Sequence, residues 1–201
     1  MKTLQIKEEI EKYILVNGGL YANLPHKEFK NCSVIIPNRS EIIIKELKRH
    51  KNIKTGIDIG SFWGSLCYDL ENVGYDMLAV EHADITFSIL NYLKKKTKYK
   101  FKTKKVDVLK GFKAKADMLI CLNLFHHFVK KEARYNAFIN FLEKAEFKIM
   151  FFQAVKEGEK QMQNAFKQFT NEDYIDLIKK HTKKKKVKLI LDGDRKLYKI
   201  W

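Results

Sequence analysis

Short apolar segments and segments with helical periodicity alternate along the chain from residue 55 to residue 152. Apolar runs of this length between helical patterns are typical of strands that helices bury on both faces. The alternation therefore predicts an α/β fold, with helices on both faces of a mostly parallel sheet. The predicted strands are 55–59, 77–80, 99–108, 118–122 and 149–152, and the predicted helices are 40–49, 65–71, 86–93 and 131–144.

The C-terminal part of the chain departs from this alternation. After a helix predicted over 171–180, two strand-like segments, 186–191 and 195–201, follow without a helix between them. Asp192-Gly193-Asp194 joins the two segments, and Asp-Gly between apolar runs favours a hairpin. The parallel sheet is therefore predicted to gain two further strands and to end in an antiparallel β-hairpin.

The N-terminal part, residues 1–52, is predicted to be a helical extension to a domain that spans 53–201. It contains an irregular crossing over 17–38, which holds both prolines of the chain. We expect the crossing and the helix after it to cover the ligand site of the domain as a lid. The candidate lid residues near a ligand are Tyr21, Phe29 and Arg39.

The charge of the chain is strongly positive, at +16 for 201 residues. Eleven lysines between residues 94 and 115 share their stretch with Asp107 alone, and seven more between 179 and 188 have no acid among them. Lysine runs of this kind form either a solvated surface or a surface that neutralises nucleic-acid phosphates. Both interpretations stay open on the sequence, so nucleic acid is a candidate partner.

The N-terminus and the cysteines bear on the compartment. The first residues alternate charged and aliphatic side chains, which is not the pattern of an export signal, and no apolar run is long enough to cross a bilayer. The cysteines are odd in number and isolated, which fits neither a disulfide framework nor a zinc site. We therefore predict a cytoplasmic protein without a transmembrane segment and without a bound metal.

The turn from Asp58 to Gly64 lies between a predicted strand and a predicted helix. Glycines in such a turn let the backbone approach a ligand, and the N–H groups that begin the helix favour the ligand's negative end. Glu81 ends the next predicted strand, where an acid can accept hydrogen bonds from both hydroxyls of a ribose. Turn, spacing and acid together predict a nucleotide-like ligand.

The order of these motifs resembles a known family. The D-x-G-x-x-x-G turn, the acid after strand two, the V-D-V sequence after strand three, the ADMLICLNLFHHF segment and the closing hairpin are similar to class I methyltransferases that use S-adenosylmethionine. The resemblance runs from about Arg39 to the C-terminus, within a broad bacterial and viral subgroup whose substrates are varied. It implies a Rossmann-like sheet of seven strands and S-adenosylmethionine as cofactor.

The resemblance also implies a role for individual residues. Asp58 would order the turn near the amino group of the donor, Glu81 would hold the ribose, and Asp107 would meet the adenine amino group. Gly60 and Gly64 would leave room for the methionine portion. The full set assigned to the cofactor is Arg39, Asp58, Gly60, Ser61, Phe62, Trp63, Gly64, Glu81, His82, Asp107, Val108, Asn123 and Leu124.

Two aromatic residues make the turn unusual. Phe62 stands where Gly or Asn is frequent, and Trp63 is bulky, so we expect aromatic rings to cover part of the turn. A ring face favours a positively charged sulfonium by about 0.5 to 2 kcal/mol.

NAD is the competing ligand, since it also binds at a glycine-rich turn with a ribose-binding acid. Phe62 replaces the third residue of the G-x-G-x-x-G motif that binds NAD, and a sheet that ends in an antiparallel hairpin is not the dinucleotide-binding arrangement.

His126 and His127 are the candidate catalytic residues, because methyl transfer to a hydroxyl or an ammonium needs a base. The alternatives for this pair are a structural role and a metal site, for which too few ligands converge. We expect transfer to oxygen or nitrogen of a small-molecule or sugar-like acceptor. An enzyme that modifies RNA through the basic surface and a non-catalytic protein that binds the cofactor remain alternatives.

Overall fold

One seven-stranded sheet organises the chain, which we describe from a computed structural model for residues 3–36, 39–156 and 158–201. The strand order is β3-β2-β1-β4-β5-β7-β6, and every pairing is parallel except those made by β7. The predicted α/β fold with a closing antiparallel hairpin is confirmed. The strands are β1 (Thr55–Ile59), β2 (Asp76–Glu81), β3 (Lys102–Lys105), β4 (Met118–Leu122), β5 (Ile149–Gln153), β6 (Val187–Leu191) and β7 (Leu197–Ile200).

Helices cover both faces of the sheet because its inner strands are apolar on both sides. In β4, Leu119 and Cys121 pack in one buried cluster with α5 and α6, whereas Met118, Ile120 and Leu122 pack in the other with α2, α3 and α4. Among the described residues, no helix has the length and apolar character needed to cross a membrane. The helices are α1 (Thr3–Asn17), α2 (Arg39–Leu47), α3 (Ser65–Asn72), α4 (Asp84–Lys95), α5 (Glu132–Lys144) and α6 (Asn171–Thr182).

The third strand is shorter than the predicted segment 99–108. The backbone N–H groups of Lys100 and Phe101 donate to the carboxylate of Glu71, at 2.7 and 2.5 Å, instead of joining the ladder with β2. Regular pairing therefore starts only at Lys102, which lies opposite Leu78. The connection between β6 and β7 is also longer than the predicted Asp-Gly turn, since residues 192–196 all lie outside the two strands.

The N-terminal part packs against one flank of the domain. The crossing predicted over 17–38 is irregular in its described residues, with a 3-10 turn at Lys27–Phe29 and one isolated bridge between Leu20 and Val34. Pro37 and Asn38, which belong to the predicted crossing, lie outside the described residues. A third buried cluster joins α1, the crossing and α4 through Ile6, Ile10, Leu20, Phe29, Trp63, Ile89 and Leu93.

A buried ion pair fastens α2 to the C-terminal hairpin. The Glu46 carboxylate lies 2.7 Å from the Lys199 Nζ and 2.9 Å from the Lys188 Nζ, and both Glu46 and Lys199 are buried. Burial alone would raise the pKa of Glu46, but the hydrogen bonds from the two lysines outweigh it and hold that pKa at about 2. The helix that precedes β1 is therefore held by charges from the end of the chain.

Candidate functional site

A cavity of about 330 Å³ lies at the carboxyl ends of β1, β2 and β4. Because the strand order reverses direction at β1, this is the position where open α/β sheets bind ligands. We call it the central cavity. It is lined by Tyr13, Tyr21, Arg39, Asp58, Gly60, Ser61, Phe62, Ser65, Leu66, Glu81, His82, Leu122, Asn123, Leu124 and His127.

The turn between β1 and α3 owes its shape to three residues with positive φ. These are Gly60 at 73°, Phe62 at 52° and Gly64 at 84°. Glycine adopts this conformation without steric cost, whereas Phe rarely does, so the surrounding contacts must hold Phe62 in place. The N–H groups of Gly60 and Ser61 both donate to the Val80 carbonyl, at 2.9 and 3.0 Å, which ties the turn to β2.

Trp63 and Gly64 pack against other parts of the protein and do not face the central cavity. The Trp63 side chain is buried in the cluster between α1 and α4 and does not line the central cavity. A Cβ at Gly64 would stand 2.7 Å from Leu90 and 3.3 Å from the Phe101 ring. The space at Gly64 is therefore filled by protein side chains, which differs from the expectation that it accommodates the methionine portion of a donor.

Aromatic rings cover the turn, as its sequence predicts. Phe62 lines the central cavity and stacks on Trp63, with ring centroids 4.8 Å apart and an angle of 12° between the planes. Tyr13 and Tyr21, from the N-terminal part, approach the Phe62 ring at 5.3 and 5.4 Å. The cavity wall thus contains several π faces that would favour a cation.

Two acidic residues lie on the strand ends that meet at the cavity. Asp58 is buried, and this burial raises the pKa of its carboxyl to about 7, with Glu81 adding to the rise and Arg39 opposing it. The Glu81 carboxylate accepts hydrogen bonds from the N–H groups of Phe62, His82 and Ala83, at 3.2, 2.7 and 3.0 Å. Two carboxyl groups in one partly enclosed space create a site that favours positive charge.

A narrower cleft of about 20 Å³ adjoins the central cavity and contains Asp107 and Val108. The Asp107 carboxylate accepts a hydrogen bond from the Arg134 guanidinium at 3.1 Å and another from the Leu109 N–H at 3.1 Å. Burial raises the pKa of Asp107, but these two hydrogen bonds lower it by more, so the carboxyl is ionised at neutral pH. The other walls include Gly60, Val80, His82, Leu124 and Phe128.

A hydrogen-bond network joins the N-terminal part to the ends of β4 and β5. Arg39 donates to Gln153 Oε1 at 2.7 Å, while Asn123 Nδ2 donates to the Tyr21 hydroxyl at 2.7 Å and to Gln153 Oε1 at 3.3 Å. Gln153 Nε2 in turn donates to the Arg195 carbonyl at 2.8 Å. Both N–H donors of the Asn123 amide are therefore used by the protein. Its Oδ1 is buried and has no protein partner.

His126 and His127 differ in their surroundings although their ring centroids are 3.9 Å apart. The His126 side chain is buried and its Nδ1 has no partner, whereas His127 is exposed and lines the central cavity. Burial lowers the pKa of His126 to about 3, with further lowering by His127, Lys130 and Arg195. Although the His127 residue is exposed overall, partial enclosure of its ring beside the cavity and the Lys130 charge lower the pKa of His127 below its ordinary value, which favours the neutral ring.

Comparison with known proteins adds to this geometry. Neither the protein-family models nor the curated proteins include a match to the chain. Solved structures do match, among them the bifunctional kinase-methyltransferase WbdD, with a TM-score of 0.70 and 14% identity over 94% of this chain and 45% of that chain. The S-adenosylmethionine-dependent methyltransferase from Clostridium acetobutylicum matches with a TM-score of 0.61 and 12% identity, over 80% of this chain and 89% of that chain. The chain has the class I methyltransferase fold.

A third structure of the same fold contains the cofactor. Magnesium protoporphyrin IX methyltransferase (ChlM) from Synechocystis, with bound S-adenosylmethionine, matches with a TM-score of 0.60 and 16% identity, over 80% of this chain and 77% of that chain. At these identities the likeness concerns the fold. The chain spans about half the length of the WbdD chains that it matches.

Several residues at this site of the methyltransferase fold escaped the sequence analysis. Gln153 ends the apolar strand β5, and a lone amide at that position is the signal that could have identified it. Arg134 is the one arginine in the helical turn that follows Lys131, but its partner Asp107 is distant in sequence. Tyr13 belongs to α1, where its spacing alone indicates only an amphipathic helix.

Two of the three cysteines are buried away from reaction, and no metal site is found in the described part of the methyltransferase fold. Cys67 and Cys121 are buried, and this burial raises the pKa of both thiols, so neither forms a thiolate at neutral pH. Within residues 3–36, 39–156 and 158–201, no three His, Cys, Asp or Glu side chains converge as a metal site would require. The side chains of the central cavity that can take part in chemistry are carboxyl groups, an amide, hydroxyls and imidazoles.

Proposed function

We propose that the chain is an S-adenosylmethionine-dependent methyltransferase. The observation that carries this proposal is the pair of acids, Asp58 and Glu81, at the central cavity of a methyltransferase fold. S-adenosylmethionine carries an ammonium and a sulfonium, which the Glu81 carboxylate, the Asp58 carboxyl group that a nearby cation would ionise, and several aromatic faces would favour. The NAD pyrophosphate would instead bring negative charge beside these carboxylates.

The residues present fit such a donor. Glu81 would accept hydrogen bonds from the ribose hydroxyls, since its oxygens have lone pairs beyond those used by the backbone. Asp107 would meet the adenine amino group in the adjoining cleft while Arg134 holds its carboxylate in position. Ser61 Oγ is buried at the cavity without a protein partner, and we assign it to the polar end of the donor.

Methyl transfer makes few demands on the protein. The bound donor would supply an activated methyl group, and the chain would position the acceptor and exclude water. His127 would remove the proton of an acceptor hydroxyl or ammonium, since its neutral ring lines the cavity. Asn123 Oδ1 would orient the acceptor by accepting a hydrogen bond from a second donor group of that molecule, because the network with Tyr21 and Gln153 fixes the direction of the amide.

The acceptor that we propose is a small or slender molecule, methylated on oxygen or nitrogen. The support is the size of the central cavity, about 330 Å³, which is at the lower end of the roughly 300 to 1,000 Å³ range of small-molecule sites and also has to hold the donor, so little space is left for the acceptor. Residues 1–52 would form the lid, since Tyr21 reaches Asn123 and Arg39 reaches Gln153 across the cavity. The three free cysteines agree with a cytoplasmic location.

Calorimetric titration tests the ligand. We expect S-adenosylmethionine and its demethylated product to bind the wild-type protein, and NADH not to bind. Asp58→Ala and Glu81→Ala should each abolish binding of the product, because both remove an acid from the cavity. Tight binding of NADH without binding of either methyl-donor compound refutes the proposal. Unchanged product affinity in both variants would show that the site is misplaced.

Turnover tests the reaction itself. The wild-type protein, incubated with radiolabelled S-adenosylmethionine and a library of amines, alcohols and sugars, is expected to label a subset of them. His127→Ala should lose labelling while keeping its affinity for the demethylated product. Binding without labelling of any compound would instead favour a non-catalytic protein that acts through its contacts.

A further inference from the structure

Lysines occupy every second position of the segment that leads into the edge strand β3. We call Lys98, Lys100, Lys102 and Lys104 the lysine row. All four side chains are exposed, whereas the residues between them are partly or wholly buried. Within β3 this alternation places Lys102 and Lys104 on one side of the strand, because successive side chains of a strand point to opposite faces.

The intervening residues hold the row in this orientation. Tyr99 and Phe101 both pack edge-on against Tyr68, with ring centroids 5.0 Å apart in each case. The Thr103 hydroxyl donates to Asn91 Oδ1 on α4 at 2.8 Å. Since these three side chains are fixed toward α3 and α4, the lysines between them have to face the other way.

The row begins before the strand and continues into it. Lys98 lies in a bend and Lys100 just before β3, whereas Lys102 and Lys104 lie in the strand, opposite Leu78 and Val80 of β2. The strand rises about 3.3 Å per residue, so these two lysines start about 6.6 Å apart. β3 is an edge strand among the described residues, and all four lysine side chains are exposed, so the row is open to a partner.

The charges of the row are not neutralised by the described part of the protein. Neighbouring lysines are paired, Lys96 with Glu28 and Lys105 with Asp84, but no lysine of the row lies in an ion pair within residues 3–36, 39–156 and 158–201. The only acid between residues 94 and 115 is Asp107, which is already bound by Arg134. Lys104 Nζ also lies 5.3 Å from the centroid of the Phe112 ring, which does not neutralise its charge. Four exposed cations without an acidic partner favour a ligand that carries several negative charges.

We propose that the lysine row binds the phosphate backbone of single-stranded nucleic acid. A flexible strand that carries one negative charge per nucleotide can follow a line of cations along a sheet edge. An anionic membrane fits less well, because none of the large exposed apolar side chains lies between residues 94 and 115 to enter a lipid surface. The inference concerns a surface outside the central cavity and does not depend on the proposed methyl transfer.

Fluorescence anisotropy of the whole protein with a labelled 30-nucleotide RNA, and with DNA of the same sequence, tests this inference. Each phosphate contact contributes about −0.7 to the slope of log affinity against log salt, so four contacts give about −2.8. We therefore expect binding at 50 mM salt that weakens about 50-fold at 200 mM salt. Stronger binding of RNA than of DNA would identify RNA as the partner, and equal binding would identify single-stranded nucleic acid in general.

A matched pair of variants separates the row from net charge. The row variant combines Lys98→Gln, Lys100→Gln, Lys102→Gln and Lys104→Gln. The control variant combines Lys180→Gln, Lys183→Gln, Lys185→Gln and Lys186→Gln, which are also exposed and lie at the opposite edge of the sheet. We expect the row variant to lose at least about tenfold in affinity at 50 mM salt and most of its salt slope, and the control to stay within about threefold.

Three results would overturn the inference. They are no binding of either nucleic acid by the wild-type protein at 50 mM salt, equal losses in the row and control variants, and binding to phosphatidylglycerol vesicles without binding to nucleic acid. A double variant, Lys102→Gln with Lys104→Gln, applies the same test if the full row variant fails to fold. Affinity for the demethylated cofactor product, measured in parallel, shows whether the central cavity is intact.

Discussion

At the scale of the residue, the raised pKa of Asp58 leads us to expect that the free energy of unfolding depends on pH in an unusual direction. Its pKa is about 7 in the folded protein and about 3.9 in an unfolded chain. Between these values the folded state holds a proton that the unfolded state has released, so the free energy of unfolding falls as pH rises from about 4 to 7. In Asp58→Asn this contribution is absent. Urea unfolding at pH 5, 6.5 and 8 should show the variant gaining stability relative to wild type as pH rises.

The exposed Asp192 in the hairpin loop provides a control for this measurement. Asp192→Asn makes the same chemical change without burial, so its stability difference from wild type should stay constant over the three pH values. A constant difference for Asp58→Asn as well would show that burial does not perturb the Asp58 carboxyl.

Substitution of Asn123 is expected to lower turnover of the acceptor while leaving affinity for the donor product nearly unchanged. Asn123→Ala removes the buried Oδ1 that we assign to the acceptor, and a lost hydrogen bond of this kind costs about 1 to 3 kcal/mol. We expect kcat/KM for an acceptor found in the library to fall by about 10-fold to 100-fold. The affinity for the demethylated product should change by less than about threefold, as measured by calorimetry. Equal losses in both quantities would place Asn123 on the donor.

The sequence predicts some of these residues better than others. The positions of Asp58 and Glu81 follow from a local motif and the spacing between two strands, and both lie at the central cavity. Gln153 could not be assigned, because its role depends on contacts with Arg39 and Asn123, which are distant in sequence. Local patterns indicate where a strand ends, but not which side chains from other strands meet there.

At the scale of the element, we expect the attachment of α2 to the C-terminal hairpin to depend on one charged side chain, Glu46. Glu46→Gln leaves Lys199 buried without its counter-ion, which costs about 3 to 5 kcal/mol of unfolding free energy at pH 7. Because the pKa of Glu46 is lowered to about 2, its contribution is present above pH 4 and is lost as pH falls toward 2. Denaturant unfolding at pH 7, 4 and 3 should therefore show a difference from wild type that narrows with acid.

Lys188 serves as the matched control for this element. It contacts the same carboxylate, but its own side chain is 44% exposed. Lys188→Gln should therefore cost less than about 1 kcal/mol, as exposed ion pairs do. If both variants lose the same stability, the buried pair with Lys199 is not what fastens α2 to the hairpin.

The strands and helices were largely predictable from their apolar periodicity, which is a local property of the chain. The extent of β3 was not predictable, because the backbone N–H groups of Lys100 and Phe101 donate hydrogen bonds to the distant Glu71 carboxylate. The hairpin was placed correctly, but its connection is longer than the Asp-Gly signal indicates. Both differences arise where contacts outside the local segment compete with its intrinsic preference.

At the scale of the whole molecule, the net charge of +16 predicts that salt stabilises the fold. Like charges repel one another in the compact state, and salt screens this repulsion over a Debye length of about 10 Å at 0.1 M. We expect the unfolding midpoint to rise by roughly 2 to 4 °C between 20 and 200 mM sodium chloride, for a gain of about 1 kcal/mol. Differential scanning calorimetry at the two salt concentrations measures this shift in the unfolding midpoint.

The row and control variants should both show a smaller rise with salt. Each removes four lysines, which lowers the formal charge from +16 to +12. An unfolding midpoint that falls with added salt would mean that attractive ion pairs outweigh the repulsion among the lysines.

The ring of Phe101 is shared by two parts of the molecule. It lies between two residues of the lysine row, and it also packs 3.3 Å from the position of a Cβ at Gly64, in the turn beside the central cavity. One rigid side chain thus forms a short mechanical link between the edge of the sheet and the turn. Thermodynamic reciprocity then sets a strict condition: if nucleic acid strengthens donor binding by some factor, the donor must strengthen nucleic-acid binding by the same factor.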